Sequence, residues 1–384
     1  MSLRICTFLL VCAVSLLNGC SGLRLGYPLR PGKNDTPTFA HTIGRVNALA
    51  VTILPPLTQV WEQDITAGIG SGSLLLVDSI IMVGNLRGEL YALNAKTGKR
   101  IGWVTLGGSI EGAPVIDGDL VIVPVAGSHE TLIGYDFLEG KARWKTALGD
   151  IQASPLLMDA RVFVGNVSGR FTAVDRSTGE TVWHFDLPGN TSLKGIRSSP
   201  AGADVNVVFG ADDGRLYNLD ARTGKVRWTF AADGAIQAGP SIADTTVYVG
   251  TLHGTMYAVG LTGGSLLWSH ASGAAIYAPP LLHRGGCYVG TTGGVVIALD
   301  QRTGALLWSC DVHSPINAGI VAANAVLYVG TLRKELIAID AAKGEILWKG
   351  GVSGRIKTTP VVGADRVFIA TDDRLVQAFE GSVR

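Results

Sequence analysis

The sequence has no surplus of either charge: 32 Lys and Arg stand against 31 Asp and Glu, a net of +1. A chain so nearly neutral gives no electrostatic case for nucleic acid or a strongly anionic surface as partner. It lacks HExxH, CxxC, an EF-hand loop, GxSxG and GxxxxGK(S/T), and its seven histidines are scattered with no pair at metal-ligand spacing. No catalytic residue, metal site or cofactor is therefore expected. No window keeps a helical period, which excludes ankyrin, TPR and HEAT arrays. Beyond the first residues no second long apolar run appears, so nothing further along is expected to span a membrane.

The chain does begin with an apolar or small run from Ile5 to Leu17, preceded by Arg4. It is too short for a stable bilayer helix and has the length of a signal-peptide core. The run ends in LNGC, with Gly19 before Cys20. This resembles a bacterial lipobox, which implies cleavage before Cys20 and acylation of its sulfur. Ser21 rather than Asp after the cysteine implies the outer membrane, with the protein on its periplasmic face. Residues 1–19 are read as a lipoprotein signal peptide, and residues 20–57, rich in proline, as a lipid-anchored tether. Of five cysteines, Cys287 and Cys310 remain to be placed. The repeat puts them on the second and fourth strands of one blade, and two strand spacings of about 4.8 Å exceed the roughly 7 Å limit between bridged Cα atoms. Two buried thiols are predicted, with a disulfide as the alternative.

What dominates the rest is a period. The eight tryptophans, Trp61, Trp103, Trp144, Trp183, Trp228, Trp268, Trp308 and Trp348, recur every 40 or so residues. Within one period, from Ile236 to Trp268, lie an apolar stretch, a polar turn, VYVG, a glycine turn, TMYAV, another glycine turn and a segment ending in Trp. That is four short strands with turn chemistry between them. VYVG recurs as IMVG, VFVG, VVFG, CYVG and LYVG, with VIVP and VFIA as degenerate copies. Before the Trp come turns such as DRSTGETVW, DARTGKVRW and DQRTGALLW, in which Asp hydrogen-bonds amides ahead of it and Gly supplies a positive φ. The fold predicted is all-β: an eight-bladed propeller of four-stranded antiparallel blades over residues 58–384. The last unit lacks its Trp strand, so residues 58–64 (TQVWEQD) are expected to complete that blade and leave the ring without an open edge. Trp spacing this even is read as architectural, with each indole wedged between blades.

Strands alternate in direction, so the loops leading into each blade share one face with the turns between second and third strands. The lead-in loops carry a variable second residue: Glu111, Gln152, Arg197, Gln237, Tyr277, Asn317 and Lys357. Variation inside a fixed frame is typical of a loop rim rather than of the core. The neutral reading is that these residues are polar simply because the mouth is wet. Asp212-Asp213 and Asp372-Asp373 sit in equivalent turns and are read as solvated turns rather than calcium ligands. One lead-in loop, LPGNTSLKGIRSSP, is about five residues longer than its counterparts.

The turn-plus-Trp unit resembles the tryptophan-docking motif of the pyrroloquinoline-quinone propellers. Their dehydrogenases use an adjacent cysteine pair and a calcium that this chain does not match. Lipobox, eight Trp-motif blades and SLKG leading into SSP together resemble the BamB family of outer-membrane assembly lipoproteins. That resemblance implies a non-enzymatic scaffold binding the barrel-inserting subunit, with unfolded outer-membrane proteins as a further partner. Carried over onto this chain, the partner-binding residues are Leu193, Lys194, Gly195 and Arg197. Two departures stand: Lys194 replaces an Arg, and the family's acidic insertion is absent from AADGAIQAGP, where Asp233 is the sole acid. A plain long loop remains the competing reading. Other functions left open are a quinoprotein-like redox enzyme or cofactor carrier, and a lipid-anchored propeller binding another periplasmic protein or a cell-wall glycan.

Overall fold

The computed structural model describes residues 22–32, 34–72, 74–189, 195–363 and 365–383. The lipidation candidate Cys20 lies outside them. Eight antiparallel sheets succeed one another around a ring. Blades 1 to 7 span residues 75–105, 115–146, 156–186, 201–231, 241–271, 281–311 and 321–351, each a run of four strands in chain order. Blade 8 takes three strands from residues 361–383 and its outermost from Ile53–Asp64. In that closure Trp61 pairs with Ala378 and Gln63 with Val376. The all-β, eight-bladed ring closed by an N-terminal strand is thus the observed fold. The closing strand begins five residues before the expected position 58.

The short hydrophobic strands follow from the repeat. The second and third strands of each blade are buried on both faces against neighbouring blades, which is why VYVG and IALD read as continuous apolar runs. The glycine that ends the second strand in six of the eight blades is a close-approach residue. A Cβ at Gly290 or Gly330 would collide with the isoleucine, Ile316 or Ile356, that leads into the following blade. These isoleucines are buried and lock one blade onto the next.

The tryptophans bind the corners between outer strands. Trp61, Trp144, Trp183, Trp228, Trp268 and Trp308 each donate Nε1–H to a turn carbonyl of the next blade, at 2.7–3.1 Å. Each indole also lies flat over that turn's glycine. Gly264 shows the need: its φ is +69°, and a Cβ there would stand 2.8 Å from the Trp228 ring.

Trp103 and Trp348 do not follow this pattern. The turn before Trp103 is one residue longer, so Trp103 faces Tyr91, whereas its counterparts face the residue equivalent to Ala92. It stacks on Tyr91 inside its own blade, with ring centroids 6.2 Å apart. Gly102 takes the usual indole position, and Leu23 of the N-terminal segment packs over it. The corner carbonyl, Phe137 O, accepts the backbone N–H of Leu25 at 2.7 Å. At the corner between blades 7 and 8, Tyr328 Oη donates to Ile53 O at 2.7 Å. The equivalent Tyr288 and Tyr248 donate to the turn carbonyls that the tryptophans use.

Residues 22–57 therefore do not hold the ring at a distance, as the proline-rich composition suggested. They run as a strap across the face opposite the lead-in loops. Leu29 N–H bonds Gly118 O, Thr36 bridges Leu76, and Gly44 O accepts from Ile242 N. Ala48–Leu49 then adds a fifth, parallel strand to the innermost strand of blade 7. Leu23, Leu25, Leu29 and Phe39 belong to the core beneath blades 1 and 2. Apolar burial of this extent outweighs the flexibility that the prolines imply.

Where the strap crosses the ring's axis it drives in a fully buried arginine. Arg45 Nε reaches Pro200 O at 2.9 Å, Nη2 reaches Pro155 O at 3.0 Å, and Nη1 bonds Phe39 O and Thr38 Oγ1. Among the described residues no carboxylate forms an ion pair with it. Burial alone pushes its pKa down, to about 9, so the guanidinium stays charged at neutral pH and its charge is answered by carbonyl dipoles and the Phe39 ring 5.3 Å away. The cysteines behave as the register requires: Cys287 and Cys310 are buried free thiols.

Candidate functional site

With one mouth of the ring sealed by the strap, the other opens as a blind funnel. Its upper part, about 470 Å³, is lined by Glu111, Gln152, Arg197, Gln237, Tyr277, Asn317 and Lys357, together with Gly70 and Leu86. These seven are the variable lead-in residues read from the sequence, and the structure brings all of them to one mouth. Each follows a buried isoleucine, which fixes its backbone and aims its side chain at the axis. Below them the funnel narrows to about 70 Å³ over a floor that includes Phe39.

The walls are tied up with structural work. Ser154 Oγ accepts from Ala113 N at 2.9 Å, Ser199 Oγ from Ser154 N at 3.0 Å and Thr359 Oγ1 from Gly319 N at 3.1 Å. Each hydroxyl stitches one blade to its neighbour, so none is poised as a nucleophile. Two charged nodes stand on opposite sides of the ring, while Glu111 makes no ion pair among the described residues and accepts from Ser109 Oγ at 3.3 Å. In blade 4, Arg197 pairs with Asp212 and also bonds Gln152 Oε1 at 3.1 Å, while Gln237 donates to the other oxygen of Asp212 at 2.9 Å. In blade 8, Asp372 takes Arg355 Nε at 2.6 Å and Lys357 Nζ at 3.3 Å. Burial works to raise the Asp372 pKa, but the hydrogen bonds from Arg355 and Lys357 hold it below the usual aspartate value.

Asp212 and Asp372 are not the solvated turn residues expected from their sequence; both carboxylates are largely buried, paired with cations that the lead-in loop of the same blade presents. Asp213 behaves differently, accepting the Tyr217 hydroxyl at 2.6 Å. The signal was present in the repeat: other blades carry Leu86, Val167, Leu252 and Leu332 at the equivalent position. An acid where the pattern asks for an apolar side chain marks an ion-pair node. Arg45 had no such signal, since the strap lies outside the repeat.

Of the residues assigned to partner binding, Leu193 and Lys194 lie outside the described residues. Gly195 sits against the Arg197–Asp212 pair, where a Cβ would strike both side chains, and its carbonyl accepts Asp212 N–H at 2.9 Å. Arg197 points into the funnel rather than along the loop. Of the four, the structure places Gly195 and Arg197, both at the Asp212 node.

The funnel's donor set does not suit the calcium and quinone of the related dehydrogenases. Among the described residues no three His, Cys, Asp or Glu side chains gather as a metal site, and Asp212 and Asp372 are paired with cations. The two thiols sit in one blade's sheet on the second and fourth strands, away from the axis.

Comparison with known proteins places the chain. A family model described as "Outer membrane protein assembly factor BamB" matches residues 50–191, 145–272, 212–317 and 292–383. The outer membrane protein assembly factor BamB of Burkholderia pseudomallei (strain K96243) is 29% identical over 133 residues, 33% of this chain and 33% of the relative. Lupanine 17-hydroxylase [cytochrome c] of a Pseudomonas species is 29% identical over 161 residues, 34% of this chain and 23% of the relative. The matched stretches thus span a third or less of these relatives' own length. The crystal structure of BamB from Moraxella catarrhalis superposes with a TM-score of 0.73 at 22% identity, over 84% of this chain and 99% of that one, a likeness of fold. With the family match running from residue 50 to residue 383 along a closed eight-bladed ring, the chain belongs to the outer membrane protein assembly factor BamB family.

Proposed function

We propose that the protein is a non-enzymatic scaffold on the periplasmic face of the outer membrane, anchored through acylated Cys20, that binds the barrel-inserting subunit of the assembly machinery. The family match along the whole ring carries this reading. The funnel supports it, because Ser154, Ser199 and Thr359 bond between neighbouring blades and Arg197 and Lys357 are paired with aspartates. The docking element is the loop at 189–197, with Leu193 as apolar anchor and Lys194 as cationic contact. Gly195 and Arg197 form the root that sets the loop's departure from the ring.

The test is recovery of the barrel-inserting subunit with affinity-purified protein from detergent-solubilised membranes. Leu193→Glu with Lys194→Glu reduces recovery at least about tenfold, the scale of a hot-spot loss. Arg197 is left intact, since reversing it would set two acids against each other at Asp212. Undiminished recovery with a normally folded variant removes the loop as the docking element.

A redox reading has one observation in its favour, the likeness to lupanine 17-hydroxylase. Absorption spectra with and without added pyrroloquinoline quinone and calcium decide it. No new band is expected, and a stoichiometric quinone band surviving gel filtration would overturn the scaffold reading.

A further inference from the structure

The path of the strap says how the ring stands on the membrane. Only Ser21 and Gly22 separate Cys20 from Leu23. Leu23 is fully buried at the outer corner between blades 1 and 2, clamped by Tyr135 Oη on its carbonyl at 3.0 Å and by the adjoining Leu25 N–H to Phe137. Three Cα steps reach at most about 11 Å. Acyl chains on Cys20 must therefore enter the bilayer within about that distance of this corner.

The outer edge of blade 1, from this corner to the one it shares with blade 8, suits anionic headgroups. The third-to-fourth-strand turn of blade 1 reads NAKTGKRI, carrying Lys96, Lys99 and Arg100 without an acid, where the corresponding turn of blade 5, GLTGGS, carries no charge and that of blade 7, DAAKGE, is net acidic. Among the described residues no ion pair engages Lys96, Lys99 or Arg100. Exposed Ile101 and Tyr27, 44% and 51% accessible, lie on the same stretch of rim and strap. Cations beside an exposed aliphatic and an aromatic side chain make an interfacial patch.

We propose that the lipidated protein rests edge-on against anionic phospholipid, with the outer edge of blade 1 on the headgroups. The ring axis then lies along the membrane, and the funnel and the loop at 189–197 face sideways into the periplasm. Lipid chains and a basic patch act as two anchoring signals along one edge. The inference rests on the lipoprotein reading above and adds an orientation to it.

The experiment uses the full-length mature protein in phosphatidylethanolamine–phosphatidylglycerol vesicles bearing a headgroup quencher. A fluorophore is placed at Lys99→Cys on the proposed contact edge, or at Thr262→Cys on the equivalent turn across the ring. Cys287 and Cys310 are buried and do not compete for label. Quenching is several-fold stronger at position 99 than at 262. Equal quenching at the two positions, or none at 99, overturns the orientation. The mass of the same preparation separates the failures: an acylated Cys20 with no quenching difference sinks this inference alone, whereas an unmodified Cys20 sinks the anchored reading with it.

Discussion

Two kinds of corner hold this ring together. Six are closed by an indole from one blade lying on the turn glycine of the next and hydrogen-bonding its carbonyl. At the corners of blades 1–2 and 7–8 the N-terminal segment brings Leu23, Leu25 and Ile53 instead. The first kind is encoded inside every repeat. The second borrows a segment outside the repeat, and so couples the first residues of the folded chain to closure of the ring. A repeat protein made only of docked corners could open by fraying one blade, whereas here the strap must also peel from the axis.

The largest effect separates the two corners directly. Trp228→Ala should cost about 4 kcal/mol, the cavity and lost hydrogen bond of a docked indole. Trp103→Ala should cost about 1–2 kcal/mol, since only an intrablade stack is lost. Chemical denaturation of both variants reads the difference, and equal losses would erase the distinction between corners. Arg45→Met is next, with about 2–3 kcal/mol expected. It leaves the carbonyls of Pro155, Pro200 and Phe39 without their donor in a dry site. A variant as stable as the parent would show that the strap does not need its axial arginine.

Leu25→Pro removes the one N–H that serves Phe137 O, with an expected loss of about 1–2 kcal/mol. Hydrogen exchange should then rise in blades 1 and 2 and stay unchanged in blades 4 to 6. Uniform change around the ring would argue against a local clasp.

The smallest effect is acid sensitivity of the strap. Burial lowers the pKa of His41 below 6.5, opposed by Asp35. As pH falls, the unfolded chain takes up this proton before the folded one, so stability is lost between 6.5 and the folded pKa. His41→Asn should flatten the fall in melting temperature over that window by an amount worth less than about 1 kcal/mol, leaving the similar contribution of His283. A parallel pH profile in the variant would show that His41 is neutral to the fold.

Much of this was legible in the sequence because the information is local and repeated. VYVG, the turn glycines and the Trp spacing named four strands per unit, eight units and the closing strand at TQVWEQD. Position within the unit also placed Glu111, Gln152, Arg197, Gln237, Tyr277, Asn317 and Lys357 on one rim. It did not reveal that Trp103 leaves its dock, since one added residue in a turn changes a register without disturbing the rhythm. Nor did composition show that prolines at 28, 31 and 37 belong to a packed strap. Their neighbours Leu23, Leu29 and Phe39 are apolar but follow no period.

The amino-acid sequence by itself determined the ring: strand length, turn type and blade number follow from side chains acting on residues a few positions away. Only the tertiary structure decided that Arg45 lies on the axis, that Asp212 and Asp372 pair with cations from the lead-in loops of their own blades, and that Leu23 fills the seat of an indole. Those meetings join residues far apart in the chain, and no local preference specifies them until closure of the ring brings the two ends, and the strap between them, into one packed body.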